Sequence, residues 1–269
     1  LSKFANSNIY RTMKMAKFKI WMVALTLITG VSLTSCLDSG ESNPIQQQTV
    51  LAKLTMGSTY SNVLIMQGGI ELVPSDPTSL MLLNAGMYMV DIQYNVNDVQ
   101  ANSKTLNVTL LSTPTKIDGP YVTTTTPIAD APMYVIKYED NGGIIAPYFF
   151  DKNTLIFPAL YWYKASTGDE RTAEIKKHSF VLSYDEIEEG DETLTLKVTH
   201  LISEDKKAER KSYIVSYFAY DLKDAIEEFT SKGNTLKKIV LSAKSNTSSN
   251  KLEDAKDETY EMDYTKIAE

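Results

Sequence analysis

Cysteine is almost absent from this sequence, which contains a single one, at position 36. One cysteine excludes a disulfide framework and a metal site built from several thiolates. Histidine is nearly as rare, with only His178 and His200. No phosphate-binding glycine loop, HExxH zinc pair or Gly-x-Ser-x-Gly nucleophile elbow occurs. We therefore expect no cofactor and no metal, and we expect the protein not to be an enzyme.

Basic residues are also scarce once the first 35 residues are set aside. Those 35 contain five basic residues and no acidic one, so the remaining 234 hold 22 basic and 34 acidic side chains. Binding to a nucleic-acid backbone needs clustered Lys and Arg. Residues 49–135 hold six acids against three lysines, which leaves no basic groove for a single strand. The sequence thus argues against a nucleic-acid partner.

The first 35 residues have the order of a bacterial secretion signal. Basic residues up to Lys19 precede a largely apolar run, Ile20–Leu33, and small residues follow. A membrane-spanning helix needs about 20 apolar residues, and this run is shorter. Residues 1–35 are therefore predicted to be a signal peptide, of which 1–12 belong to an overlong start if translation begins at one of the methionines that follow.

The only cysteine lies where such a signal is cut. Leu33-Thr34-Ser35-Cys36 resembles the bacterial lipobox, in which the cysteine sulfur carries diacylglycerol. This predicts lipidation of Cys36 and a membrane partner reached through the lipid anchor. Residues 36–48 are polar and lack periodicity, as expected for a flexible linker. The predicted location is the bacterial outer membrane, with a periplasmic and a surface-exposed position both open.

From Thr49 onward, short β-rich runs alternate with turn residues, a pattern typical of an all-β protein. Between Met87 and Val96, every second residue starting at Tyr88 is apolar or aromatic, which assigns those residues to one face of a strand. One short amphipathic helix is predicted over Leu222–Phe229. The predicted domains are a strand-rich block at 49–135, a larger one at 136–243, and an acidic mobile tail at 244–269.

Several strand and turn segments resemble the NigD-like lipoproteins of Bacteroidetes. The segments that carry the likeness are Val50-Leu-Ala-Lys, Gly68-Gly-Ile-Glu-Leu-Val-Pro, Ala85-Gly-Met-Tyr-Met-Val-Asp-Ile-Gln-Tyr, Leu194-Thr-Leu-Lys-Val-Thr-His and Ile214-Val-Ser-Tyr-Phe-Ala-Tyr-Asp-Leu. The resemblance implies a small OB-like N-terminal barrel followed by an antiparallel β-sandwich. It implies no catalytic or ligand residues. The segment around 168–178 and the acidic tail depart from the family's pattern.

The polar candidates favour structural roles over chemistry. His200 is expected to bond a turn at a strand end, and His178, which follows two lysines, is expected to be solvated. The acidic segment 185–192 could bind calcium, but it lacks the EF-hand order, so a solvated hairpin loop is preferred.

Aromatic residues are the more suggestive candidates. In the strand containing Tyr161-Trp162-Tyr163, alternation places both tyrosines on one face and Trp162 on the other. We expect Tyr161 and Tyr163, if they face solvent, to bind a ligand, since a tyrosine offers a flat apolar surface with a polar tip. The alternative is that a covering element buries them.

Two functions follow from these features. The leading hypothesis is a non-enzymatic cell-envelope lipoprotein that binds a glycan, a peptide or a protein partner. The alternative is a bacteriocin-immunity-like protein or an envelope assembly scaffold. A glycan-binding screen would separate the two.

Overall fold

The structure is a computed structural model that describes residues 44–57, 61–100, 102–140, 143–164 and 167–268. The predicted signal peptide, Cys36 and most of the predicted linker lie outside these residues. The chain forms two compact units, one ending at Lys116 and the other starting at Ile117. Strands account for 49% and helices for 13% of the chain, which confirms the predicted all-β class.

The first unit is a small barrel. Its strands, in chain order, are β1 (Ile45–Met56), β2 (Asn62–Met66), β3 (Glu71–Pro74), β4 (Gly86–Asn95), β5 (Thr105–Leu110) and β6 (Thr115–Lys116). The order β1-β2-β3-β5-β4 is closed by pairing of β1 with β4, and β6 adds to β4. This confirms the predicted OB-like barrel. β1 begins inside the predicted linker, at Ile45, because that end of the strand pairs with the end of β4.

The barrel core follows the alternation predicted for β4. The buried side chains on the inner face of β4 are Tyr88, Val90, Ile92 and Tyr94. Residues of the other strands complete the cluster, including Leu54, Leu64 and Leu72, each at most 1% exposed. Burial of these apolar side chains is the main favourable contribution to the barrel's stability.

The second unit is built around one curled sheet. Its elements are β7 (Met133–Val135), β8 (Tyr138–Asp140), β9 (Gly143–Ile145), β10 (Tyr148–Phe149), β11 (Thr154–Tyr163), α1 (Gly168–Lys176), β12 (His178–Tyr184), β13 (Thr193–Ile202), β14 (Ser212–Asp221), α2 (Lys223–Ser231), β15 (Lys238–Ser245), β16 (Lys256–Asp263) and α3 (Thr265–Ala268). Eight strands have the order β10-β11-β7-β15-β13-β12, with β14 beside β11 and β16 beside β15. β8 and β9 form a separate hairpin.

The expected antiparallel sandwich is realised as this single sheet with two parallel pairings, β13 with β15 and β7 with β15. The predicted helix is present as α2, and its apolar stripe, Ala225, Ile226 and Phe229, is buried in the core. A second helix, α1, was not predicted. It is weakly amphipathic, with Glu174 as its buried residue, so its sequence carries no apolar stripe to reveal it.

The unit boundary lies upstream of the predicted one near residue 135. The segment 117–131 is hydrogen-bonded to strands of the second unit. Gly119 N–H donates to the Ala219 carbonyl (2.7 Å), and Asp130 N–H donates to the His200 carbonyl (2.9 Å). This segment has few apolar alternations, so its place in the sheet was not visible in the sequence.

The acidic tail at 244–269, predicted to be mobile, contains an ordered strand instead. β16 lies antiparallel along the whole of β15. Two of its acids face lysines of β15, with Lys238 Nζ 2.7 Å from Glu261 Oε2 and Lys244 Nζ 2.9 Å from Asp257 Oδ1. The acidic composition indicated disorder, but pairing with β15 orders this segment as a strand, and two of its acids face lysines of β15.

Candidate functional site

The predicted ligand residues Tyr161 and Tyr163 do not form an exposed platform. Tyr161 is 0% exposed and lies in the core, and Tyr163 is half-buried against the same core. The Tyr161 ring lies 4.7 Å from the His178 ring and 5.0 Å from the Phe180 ring, centroid to centroid. Its hydroxyl is 3.0 Å from Ser216 Oγ, so its polar end is satisfied internally. The two tyrosines share a face, as alternation requires, but that face is the inner one.

The other face of β11 carries the exposed aromatic surface. Trp162 lies there, and its cross-strand partner on β14 is Tyr213. Tyr134 stacks on Tyr213, with centroids 4.3 Å apart and planes 15° apart, and meets Trp162 edge-on at 5.2 Å. Tyr138 lies 6.1 Å from Tyr213. We call these residues, Tyr134, Tyr138, Trp162 and Tyr213, the aromatic patch.

A β-bulge places Tyr134 in the patch. Where β7 meets β11, Leu160 pairs with Val135 and Tyr161 pairs with Met133, so Tyr134 is the extra residue between the two pairs. A bulge changes the direction of a side chain relative to regular pairing. Here it leaves Met133 in the core, 1% exposed, while Tyr134 reaches Trp162 and Tyr213.

The patch is anchored at its base and open at its top. Trp162 is 8% exposed, and its indole N–H donates to the Asn246 carbonyl (2.7 Å). Tyr134 and Tyr138 are half-buried, whereas Tyr213 is 45% exposed. Stacked and edge-on contacts hold the rings in fixed relative positions. The result is a rigid aromatic surface that presents Tyr213 to solvent.

The two histidines lie together in the core of the second unit. His178 Nδ1 is 2.8 Å from His200 Nε2, and His178 Nε2 is 3.4 Å from Glu174 Oε1. The expectation that His178 is solvated is therefore wrong, because the first residue of β12 points inward beneath α1. His200 lies within β13, and its Nδ1 is 3.1 Å from the carbonyl oxygen of Pro132, which directly precedes β7.

The contacts determine the proton positions in this pair. A carbonyl oxygen only accepts, so His200 Nδ1 carries the proton that it donates to Pro132. The Nε2 atom of neutral His200 then accepts from His178 Nδ1. His178 Nε2 is left without a proton beside the Glu174 carboxylate. Any further proton that this network takes up is expected to settle between those two groups.

Burial and positive charge keep both rings neutral. Burial, together with the nearby Arg210 guanidinium, lowers the pKa of His178 to about 4. Burial and the adjacent His178 lower the pKa of His200 to about 3. Burial alone would raise the pKa of Glu174, but Arg210 and hydrogen bonds to its carboxylate hold that pKa below its usual value.

Arg210 completes the cluster and was not singled out by the sequence. It is 2% exposed, and its Nε donates to Glu174 Oε1 (2.9 Å). Its Nη1 donates to the carbonyls of Asp205 and Ala208 at 3.2 and 3.3 Å. It is one of three arginines in a lysine-rich chain, and a rare arginine is a usable signal for a site that needs a planar fork of donors. The His178 side chain is 0% exposed, so this end of the cluster is buried.

The acidic segment 185–192 is a loop braced by lysines. Asp185 Oδ2 lies 2.6 Å from Lys197 Nζ, and Glu192 pairs with Lys237. Asp191 accepts from the backbone N–H of Glu188 within the turn (2.9 Å). In the described part of the chain, no group of three or more His, Cys, Asp or Glu side chains is arranged to hold a metal ion. None of the described helices is long and apolar enough to cross a membrane.

Comparison with known proteins identifies relatives among solved structures. No protein-family model and no curated protein matches the sequence. A Bacteroides fragilis protein described as a candidate lipoprotein is 30% identical, with a TM-score of 0.71, over 81% of this chain and 98% of the other. A Bacteroides vulgatus protein of unknown function is 12% identical, with a TM-score of 0.49, over 81% of this chain and 91% of the other. An uncharacterised Parabacteroides merdae protein is also 12% identical, with a TM-score of 0.48, over 81% of this chain and 99% of the other.

The first of these likenesses is close enough to establish kinship, because identity and coverage are both high. A lipoprotein relative agrees with the lipobox that the sequence places at Cys36 and supports a lipid-anchored protein of the cell envelope. The chain therefore belongs to the same family as the Bacteroides fragilis candidate lipoprotein.

Proposed function

We propose that this chain is a non-enzymatic, NigD-like lipoprotein of the outer membrane that binds a glycan through its aromatic patch. The observation that carries this proposal is the half-exposed ring of Tyr213, held in place by the Tyr134 ring stacked beneath it. Cys36 would provide the anchor, and the patch would provide the binding surface.

The geometry of the patch suits a sugar ring. The C–H face of a sugar is apolar and packs on a flat aromatic face, while the phenol hydroxyl at its rim can hydrogen-bond to sugar hydroxyls. Tyr134 stacks on Tyr213 and itself meets Trp162 edge-on, so little rotamer freedom of Tyr213 remains to be lost on binding. A preformed platform of this kind gains affinity without any movement of the sheet.

The histidines support the non-enzymatic part of the proposal. A general base must reach the proton that it removes, directly or through one water. His178 and His200 are instead enclosed by Tyr161, Phe180 and Glu174. Their low pKa values follow from burial, and they bond to each other rather than to an exposed nucleophile.

The test is a glycan-binding screen with a matched pair of tyrosine variants. The soluble chain starting after Cys36 is applied to an array of bacterial-surface, mucin and plant glycans, and a positive glycan is titrated. Tyr213→Ala is expected to weaken binding at least tenfold, which is about 1.4 kcal/mol. Tyr121→Ala is the control, because Tyr121 is 96% exposed and lies outside the patch.

Equal affinity of Tyr213→Ala and the wild type would contradict the assignment of the patch. If no glycan binds, a photocrosslinker at position 213 distinguishes the alternative. Capture of one defined envelope protein, lost when Tyr134 is changed to Ala, would replace the glycan proposal with the assembly or immunity role.

A further inference from the structure

A groove of about 440 Å³ opens on the barrel, in the first unit. The residues that matter for its chemistry come from four strands and one connection: Ile45, Val73, Gln93, Asn95, Asp98, Asn107 and Thr109. Sites for small molecules typically enclose about 300–1,000 Å³, so the groove is large enough for a ligand of a few rings.

The groove exists because two strands separate. β4 and β5 are paired only at Ile92 with Leu110 and at Gln93 with Thr109. Beyond that point, β4 stays paired to β1 as far as Asn95, and β5 stays paired to β3. The barrel is therefore held on both sides while the space between β4 and β5 widens.

The two strands turn backbone groups toward this space. Leu111 N–H donates to the Asp91 carbonyl across the β4–β5 ladder (2.9 Å). The backbone N–H and C=O groups of the odd-numbered β4 residues therefore point toward β5. Val96 N–H donates to the Pro44 carbonyl on the β1 side (2.8 Å), which agrees with that alternation. Asn95 is the next odd-numbered residue after the paired Gln93, and its backbone N–H points into the groove.

Four of the side chains that line the groove are uncharged hydrogen-bonding groups, and two of these have partly fixed orientations. Gln93 Oε1 accepts from Gln47 Nε2 (2.9 Å), and Asn95 Oδ1 accepts from the Asn97 N–H (2.9 Å). These bonds occupy the carbonyl ends of both amides and leave the NH₂ ends to donate. Asn107 and Thr109 add groups that can both donate and accept.

The charge of the lining selects the class of ligand. Asp98 is the one charged residue that lines the groove, and no Lys or Arg joins it among the described residues. An anionic ligand would meet a carboxylate and no compensating cation. Beside the polar groups, Val73 and Ile45 are each 38% exposed and give the groove an apolar strip.

We propose that this groove is a binding site for a neutral saccharide. Amide donors and a hydroxyl match the hydroxyl groups of a sugar, and the apolar strip matches its C–H face. The site is separate from the aromatic patch, since all its residues belong to the barrel. Whether the groove binds a saccharide is therefore independent of what the aromatic patch binds.

The experiment follows the side-chain amide signals of the barrel by NMR in the full soluble chain. Maltotriose, mannotriose and chitotriose are the neutral probes, and sialyllactose is the anionic comparison. Each is added to about 10 mM, above the Kd of about 1 mM that marks a weak site. The expected result is that at least one neutral probe shifts the Asn95 and Asn107 side-chain amides, while sialyllactose does not.

Single substitutions then test which groove residues contribute to saccharide binding. Asn107→Asp removes the NH₂ donor and adds a charge, so it is expected to weaken binding of that probe at least tenfold. Asn102→Asp is the matched control, since Asn102 is exposed and does not line the groove. Thr109→Val, which keeps the shape of the side chain, is expected to weaken binding without unfolding the barrel.

Tyr213→Ala separates this proposal from the proposed function. If the groove is a site, the shifts of Asn95 and Asn107 persist in Tyr213→Ala. Loss of the shifts in that variant, their absence with all three neutral probes, or their appearance with sialyllactose alone would each overturn the proposal.

Discussion

The barrel and the curled sheet bury different kinds of side chain. Every buried polar or charged residue in the described chain belongs to the second unit, including Glu174, His178, His200 and Arg210. The buried residues of the barrel are aliphatic side chains with Met, Ala, Pro and Tyr. The two units thus reach a packed interior by different routes.

The difference has an energetic consequence. An apolar core depends on the area removed from water and changes little with pH. A buried polar cluster depends on complete satisfaction, because a buried group that loses its partner is left with the full cost of desolvation. We therefore expect the second unit to be the more sensitive of the two to acid and to single substitutions at its cluster.

The largest effect on folding is expected when the second unit is truncated at different residues. A fragment of residues 136–243 lacks β7, β16 and the segment 117–131, all of which pair within the second unit. It is expected not to fold, whereas a fragment of residues 117–268 should melt cooperatively. Circular dichroism with thermal melts is the measurement, and a cooperative melt of the shorter fragment would show that the pairing at its edges is dispensable.

The next largest effect of a substitution on stability is expected when the buried ion pair between Arg210 and Glu174 is broken. Arg210→Met leaves the Glu174 carboxylate buried without its main partner, and such a loss typically costs about 3–5 kcal/mol. Arg171→Met is the control, because Arg171 lies exposed on α1. Urea unfolding of both variants measures the difference in the free energy of unfolding, and similar values would mean that the pair contributes little.

Truncation of the aromatic residues on β11 tests the assignment of the faces. Tyr161→Ala and Trp162→Ala each remove a buried ring, so each is expected to lower the free energy of unfolding by about 3–5 kcal/mol. Tyr163→Ala should have a smaller effect, since Tyr163 is only half-buried. If Tyr161→Ala lowered the free energy of unfolding only slightly, the result would favour the exposed tyrosine pair that the sequence suggested.

Acid is expected to destabilise the second unit more than the barrel. The pKa of His178 is lowered to about 4 and that of His200 to about 3, chiefly by burial, from an unfolded value near 6.5. A lowered histidine pKa means that the unfolded chain binds protons first, so stability is complete above about pH 6.5 and declines as the pH falls toward 4. The lowered pKa of Glu174, which faces Arg210 and Lys177, adds a loss in the same direction at still lower pH.

The predicted loss for the second unit by pH 4 is on the order of 6 kcal/mol, about 3 kcal/mol for each histidine, from about 1.4 kcal/mol per unit of pKa shift. Hydrogen exchange measured at several pH values can report each unit separately. The barrel amides should keep their protection over this range. Equal loss of protection in both units would contradict the role assigned to the histidine cluster.

Local patterns were enough to predict much of the fold. The strand predicted from alternation between Met87 and Val96 is present as β4, Gly86–Asn95, because alternation and flanking turn residues define it within one segment. β16 was missed since its composition indicates disorder, whereas the strand is formed through backbone pairing with β15. α1 was missed because its buried face holds a carboxylate rather than an apolar stripe.

The candidate site depends more strongly on distant contacts. Alternation correctly separated Trp162 from Tyr161 and Tyr163, but it cannot say which side of a sheet is covered. Tyr134 joins the patch through a bulge, which is visible only when the register of β7 on β11 is known. Arg210 meets Glu174 across 36 residues, so no local spacing reveals the pair.

Hydrogen exchange of the soluble chain with and without a bound glycan tests whether the aromatic patch is the binding surface. With the glycan of highest affinity on the array, we expect added protection at the backbone amides around Tyr134, Tyr138 and Tyr213, and we expect Tyr213→Ala to abolish it. Protection that avoids these residues, or that is unchanged in Tyr213→Ala, would contradict the claim that the aromatic patch is the binding surface.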